Sequence, residues 1–136
     1  MTRLSRDQIK QARIASYMQI AADELAGARQ LMDTLPRQSA FFMQQCVEKL
    51  LRAVLENDEY LAGNTHSIEA LARLLPDHHL LKALFASFDD LSGAATRYRY
   101  PTERGVIRSP DHMLMPARLA DIEDLQRRVV AFLQQK

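Results

Sequence analysis

The stretch FFMQQCVEKLLRAVLE, Phe41 to Glu56, decides the fold class of this chain. Met43, Val47, Leu50 and Val54 recur at four- and three-residue steps, and Phe42, Cys46, Leu51 and Leu55 widen the same stripe. That spacing keeps returning to one side of an α-helix, so the chain reads as helical from about Gln38 to Tyr60. Gln44, Gln45, Glu48, Lys49, Arg52 and Glu56 gather on the other side. Glu48 precedes Arg52 by four residues, the favourable order for an ion pair along a helix, at a few tenths of a kcal/mol.

The pattern continues in both directions. Upstream, Ile14, Tyr17, Ala21, Leu25, Ala28 and Met32 line one face of a helix expected from Ser5 to Leu35. SRDQ at Ser5 to Gln8 fits a capping box, and Pro36 ends or closely follows the helix. Its small residues (Ala21, Ala22, Ala26, Gly27, Ala28) permit close approach of a neighbour. Downstream, AGNTHS at Ala62 to Ser67 is a turn, and SIEALARLLP is a short helix stopped by Pro76. Asp77 is placed to cap a fourth helix in which Leu81, Leu84, Phe85, Phe88, Leu91, Ala95 and Tyr98 repeat in phase. Gly93 interrupts it at a cost of about 1 kcal/mol relative to alanine. From Arg99 to about Met115 the periodicity is lost among Pro101, Gly105 and Pro110. A last helix opens near Pro116 and runs through Leu119, Ile122, Leu125, Val129 and Phe132. No period-two strand stands out. The expectation is an all-α, up-and-down bundle of four to five helices forming one domain over residues 1–136.

Composition narrows the function. With 18 basic and 17 acidic residues the net charge is +1, which excludes a whole-molecule basic field of the kind non-specific nucleic-acid binders use. An anion site must therefore be local. The single cysteine, Cys46, excludes an internal disulfide and reads as a buried, inert thiol. No apolar run approaches the ~20 residues of a membrane span, and the first residues lack an apolar secretory core, so a cytoplasmic protein is expected. His66, His78, His79 and His112 show no metal-ligand spacing, and no phosphate loop, nucleophile elbow or paired-carboxylate motif occurs. Neither a metal nor a cofactor is called for.

One local cluster stands out, GAATRYRYPTERG, Gly93 to Gly105. Arg97, Arg99, Arg104 and Arg108 lie close together, offset in that interval only by Glu103. Tyr98 stays in phase with the core stripe, Arg97 falls off it, and Pro101 pushes Tyr100 into an extended conformation. Two readings stand at this point. The arginines complement a helix C-terminus and are otherwise solvated, or their planar forks take phosphate while tyrosine stacks on a base.

The order of FFMQQCVEKLLRAVL, NTHSIEALARLL and ATRYRYP resembles the small HEPN-domain proteins of bacteria and archaea. The resemblance rests on a glutamine-rich second helix followed by Glu-Lys (Gln44, Gln45, Glu48, Lys49), a Thr-His turn (Thr65, His66) and an Arg-Tyr-Pro ending (Arg99, Tyr100, Pro101). It covers roughly Ser16 to Pro101, with the final helix included. It implies a helical bundle, commonly a homodimer, that handles nucleotides or RNA, often beside a minimal nucleotidyltransferase in a toxin–antitoxin pair. Arg97, Arg99, Tyr100, Arg104 and His66 are the ligand-binding residues this reading names. Ribonuclease members of the family carry an arginine, four to six residues, then a histidine. Here Arg108 and His112 enclose three residues, and Arg104 and His112 enclose seven. Three functions follow: nucleotide or RNA binding, a metal-independent ribonuclease using Arg104 or Arg108 with His112, or a helical dimer that serves as an interaction module. In the third, Met113, Leu114 and Met115 supply apolar contact.

Overall fold

The structure, a computed structural model, describes residues 3–135, apart from the side chain of residue 95. All regular structure among these residues is helical. Helix α1 spans Arg6–Leu31 and α2 Pro36–Asn57. The short α3 (Ile68–Ala72), α4 (Lys82–Ala86) and α5 (Ala94–Arg97) follow, with a 3-10 turn at Asp89–Gly93 before α5, and α6 spans Met115–Leu133.

The expected capping box opens α1. Ser5 Oγ accepts from Gln8 N at 3.1 Å, and Gln8 Oε1 accepts from Ser5 N at 2.8 Å. Ile14, Ala21, Leu25 and Ala28 are buried against α2, the most extensive helix–helix contact in the molecule. The small residues make that approach close. A Cβ added at Gly27 would lie 3.3 Å from the Phe42 ring, and Ser39 Oγ donates to Ala28 O at 2.6 Å. The short turn between the helices makes them antiparallel neighbours. Pro36 lies in the first turn of α2, where its missing N–H costs nothing, so it opens the second helix two residues before the expected start.

Helix α2 is the axis of the fold. Its apolar stripe is buried as expected, and α1, α3, the 3-10 turn, α5 and α6 all pack on it. Enclosure from so many sides also buries Gln44 and Glu48, which periodicity had placed on the polar side. Cys46 is fully enclosed. Burial, with a smaller push from Glu24, raises its thiol to about 12 and leaves it protonated and inert.

The continuous fourth helix is corrected. Leu81, Phe85, Phe88 and Leu91 are buried in the expected phase, yet the helix breaks after Ala86 and, beyond Leu91, the 3-10 turn gives way to the separate α5 at Ala94. Polar side chains cause the breaks by bonding the backbone locally or reaching another element. Ser87 Oγ donates to Leu84 O at 2.5 Å, while Asp89 Oδ1 and Ser92 Oγ accept from the α3 amides of Glu69 and Ile68 at 3.0 and 3.1 Å. Asp77 caps nothing and pairs with Lys82 at 2.8 Å. Met115 is a core residue, 4% exposed, whereas Met113 and Leu114 are 86% and 65% exposed. None of the helices is long and apolar enough to cross a membrane.

At the end of α2 the chain turns through Glu59, whose φ of 64° lies in the left-handed region. Tyr60 N bonds to Leu55 O at 2.9 Å and Glu59 N to Glu56 O at 3.2 Å, the paired bonds of a helix stop that normally carries glycine at this position. Replacing Glu59 with glycine removes the Cβ penalty, and chemical denaturation should show a gain of about 1 kcal/mol. An unchanged or lowered midpoint would mean that the Glu59 side chain supplies compensating contacts.

Candidate functional site

Glu48 is the most buried charged group among the described residues, with a side chain only 3% exposed. An isolated carboxylate there would be strongly disfavoured, but its oxygens are well supplied with donors. Arg52 Nε donates to Oε2 at 3.1 Å, Gln44 Nε2 to Oε1 at 3.2 Å, and His66 Nδ1 lies 3.1 and 3.2 Å from the two oxygens. Burial pushes the Glu48 carboxyl up; Arg52, His66 and Gln44 together outweigh it and hold the group below the ordinary glutamate value. An ionised carboxylate only accepts, so His66 Nδ1 carries the proton and donates.

The network also sets the turn before α3. Arg52 donates through its two terminal nitrogens to Gly63 O at 3.2 Å and Thr65 O at 2.6 Å, and Gln44 Nε2 reaches His66 O at 3.3 Å. Toward α1, Gln45 Nε2 donates to Gln44 Oε1 at 2.6 Å, Lys49 Nζ to Gln45 Oε1 at 2.8 Å, and the same ammonium pairs with Glu24 at 3.2 Å. Glu24 is shifted the opposite way from Glu48, because burial raises it more than Lys49 lowers it.

Above this network lies an open groove of about 590 Å³. Phe41 and Gln45 of α2 form one wall and His66 and Ser67 another. Ser92, Thr96, Arg99 and Tyr100 close it. The Arg99 guanidinium lies 4.9 Å from the Phe41 ring centre and 5.7 Å from that of Tyr100. Among the described residues it has no carboxylate partner. The His66 ring is 71% exposed, with Nδ1 committed to Glu48 and Nε2 unpartnered among the described residues.

The structure thus brings together three of the residues singled out in the sequence, His66, Arg99 and Tyr100. Arg97 is elsewhere: it folds back over Gly93 and lines a separate cavity against α6. Arg104 and Arg108 are exposed on the loop after Pro101. His112 Nε2 lies 3.7 Å from Asp33 in the α1–α2 turn, and no hydrogen bond or ion pair joins it to either arginine among the described residues. His79 is structural, with Nε2 at 2.8 Å from Asp58 and its ring 4.9 Å from Phe132. No group of three or more His, Cys, Asp or Glu among the described residues could hold a metal ion. Phe41 and Gln45 enter the site without having been named as ligand residues. The only sequence signal for Phe41 was its place at the edge of the α2 stripe, one turn before Gln45.

A helical bundle organised around a Glu-Lys central helix, with a histidine turn and an arginine–tyrosine segment meeting at one groove, defines the class of protein. The HEPN domain family model matches residues 14–129, which carries the likeness through the final helix. The chain belongs to the HEPN family. No curated protein and no solved structure gives a significant match.

Glu48→Gln leaves Arg52 beside a neutral amide, and denaturation at neutral pH should show a loss of about 3 kcal/mol. The pH dependence has a definite sign. Because the folded Glu48 pKa is depressed, its contribution is complete above 4.5, the ordinary value, and fades as pH falls through the lower folded value. The gap between wild type and variant should therefore narrow below that point. Glu24, raised rather than lowered, acts in the opposite direction, but both proteins carry it. A gap independent of pH would contradict an ionised Glu48.

Proposed function

We propose that the groove beside His66 binds the phosphate-bearing part of a nucleotide or of single-stranded RNA. The observation that carries this reading is Arg99, a guanidinium without a carboxylate partner among the described residues, held against an aromatic ring in the same groove as His66. Such a planar fork matches phosphate oxygens in pairs, and the exposed Tyr100 ring gives a base a surface to stack on. Ser67 and Thr96 add hydroxyls at the walls, and the groove falls within the range of about 300–1,000 Å³ typical of small-molecule sites. Handling of nucleotides or RNA is also what the family resemblance implies.

Within this reading, the exposed Val106, Ile107, Met113 and Leu114 offer an apolar face to a protein partner. A second copy of the chain and the minimal nucleotidyltransferase implied by the family are the two partners to test, and sedimentation with and without the latter separates them. Among the described residues no hydrogen bond or ion pair joins Arg104 or Arg108 to His112, so the ribonuclease reading needs a pair assembled across two copies, and RNA cleavage with and without His112→Ala tests it.

Binding is measured by titrating the protein into fluorescent ATP and into a short labelled single-stranded RNA at low salt. Arg99→Ala should weaken binding about tenfold or more, the scale of a lost charge-assisted contact, and Arg97→Ala should change it less than about twofold. Equal losses in the two variants, or none in Arg99→Ala, would overturn the assignment.

A further inference from the structure

A second hollow, of about 240 Å³, lies beside the groove and is lined by Arg37, Gln38 and Phe41 of α2 and by Tyr98 and Arg99. Phe41 and Arg99 belong to both spaces, so the stacked pair they form stands between them. Groove and hollow make one tract.

The charge along this tract has one sign. Neither lining contains an aspartate or a glutamate. Glu48, beneath the groove, is already met by Arg52, Gln44 and His66. Arg37 is half-buried and, like Arg99, its guanidinium makes no hydrogen bond or ion pair among the described residues. Two guanidiniums at one hollow repel each other, and the half-buried one is partly stripped of water. A cleft lined by a single sign of charge also focuses its field inward. An anion placed between the two relieves these costs, and the exposed Gln38 adds an amide donor at the wall.

We infer that the hollow at Arg37 is a second phosphate site and that the ligand of the whole tract is a nucleotide chain. One phosphate lies at Arg99 and His66, the next at Arg37, and the sugar joining them crosses the Arg99–Phe41 pair. This inference rests on the groove reading given above and extends it from one nucleotide to a strand. A nucleoside monophosphate fills only one of the two places.

Three probes separate the sites. AMP carries one phosphate, ApA two bases with one internal phosphodiester, and pApA the same bases with a second phosphate at its 5′ end. In calorimetric titrations at low salt, wild type should bind pApA about tenfold more tightly than AMP or ApA, the scale of an added charge-assisted contact. Arg37→Ala should remove that tenfold and change AMP binding less than about twofold, which also shows that the variant is folded. Gln38→Glu, which sets a carboxylate at an exposed position on the wall, should likewise weaken pApA and spare AMP. Arg99→Ala should weaken all three, as the groove reading requires. Unchanged pApA binding in Arg37→Ala or Gln38→Glu, an equal loss of AMP and pApA in Arg37→Ala, or ApA as tight as pApA would each overturn the second site and leave the groove reading standing. No binding of any probe by wild type would overturn both.

Discussion

A carboxylate kept ionised inside a helical bundle is the constraint on which the rest of this structure depends. Glu48 is almost wholly removed from water and remains charged because an arginine, a histidine and a glutamine converge on its oxygens. The arginine is shared. Arg52 also takes the carbonyls of Gly63 and Thr65, so the group that neutralises the charge shapes the turn that carries His66. Charge burial, loop geometry and histidine orientation are one arrangement. Removing any member leaves the others with unmet desolvation costs.

The position of α2 explains why that arrangement meets a groove. A helix packed on many sides has few surfaces free for chemistry, and its polar residues must then be satisfied by neighbours rather than by solvent. Gln44, Gln45, Glu48 and Lys49 do this in a chain of hydrogen bonds reaching Glu24 on α1. Where α2 emerges near Phe41, the Arg99–Tyr100 segment crosses it and the groove opens. Arg97 and Arg99 are two residues apart at the end of a helical turn, a spacing that does not place side chains on one face. One arginine therefore belongs to the groove and the other to the cavity beneath Leu114.

Much of this was legible in the sequence. The Ser5–Gln8 cap, the α1 stripe and the α2 stripe are local signals with a direct physical cause, and each is present in the structure. The in-phase residues from Leu81 to Leu91 were correctly read as core but wrongly read as one helix. Hydrophobic period reports burial, and it survives breaks that Ser87, Asp89 and Ser92 introduce by bonding elsewhere. The burial of Gln44 and Glu48 was not legible, because it depends on how many elements surround α2, a property of tertiary packing. The motif order pointed to His66, Arg99 and Tyr100 together. It gave no way to separate Arg97 from them, since that follows from the local backbone turn.

The most direct measurement is nitrogen NMR of the His66 ring across neutral pH, which reports which ring nitrogen bears the proton in the uncharged imidazole. An ionised Glu48 requires the proton on Nδ1, with Nε2 left as the open position in the groove. A ring protonated on Nε2 with Nδ1 bare would mean that Glu48 is itself the donor, and the electrostatic basis of the site would be wrong.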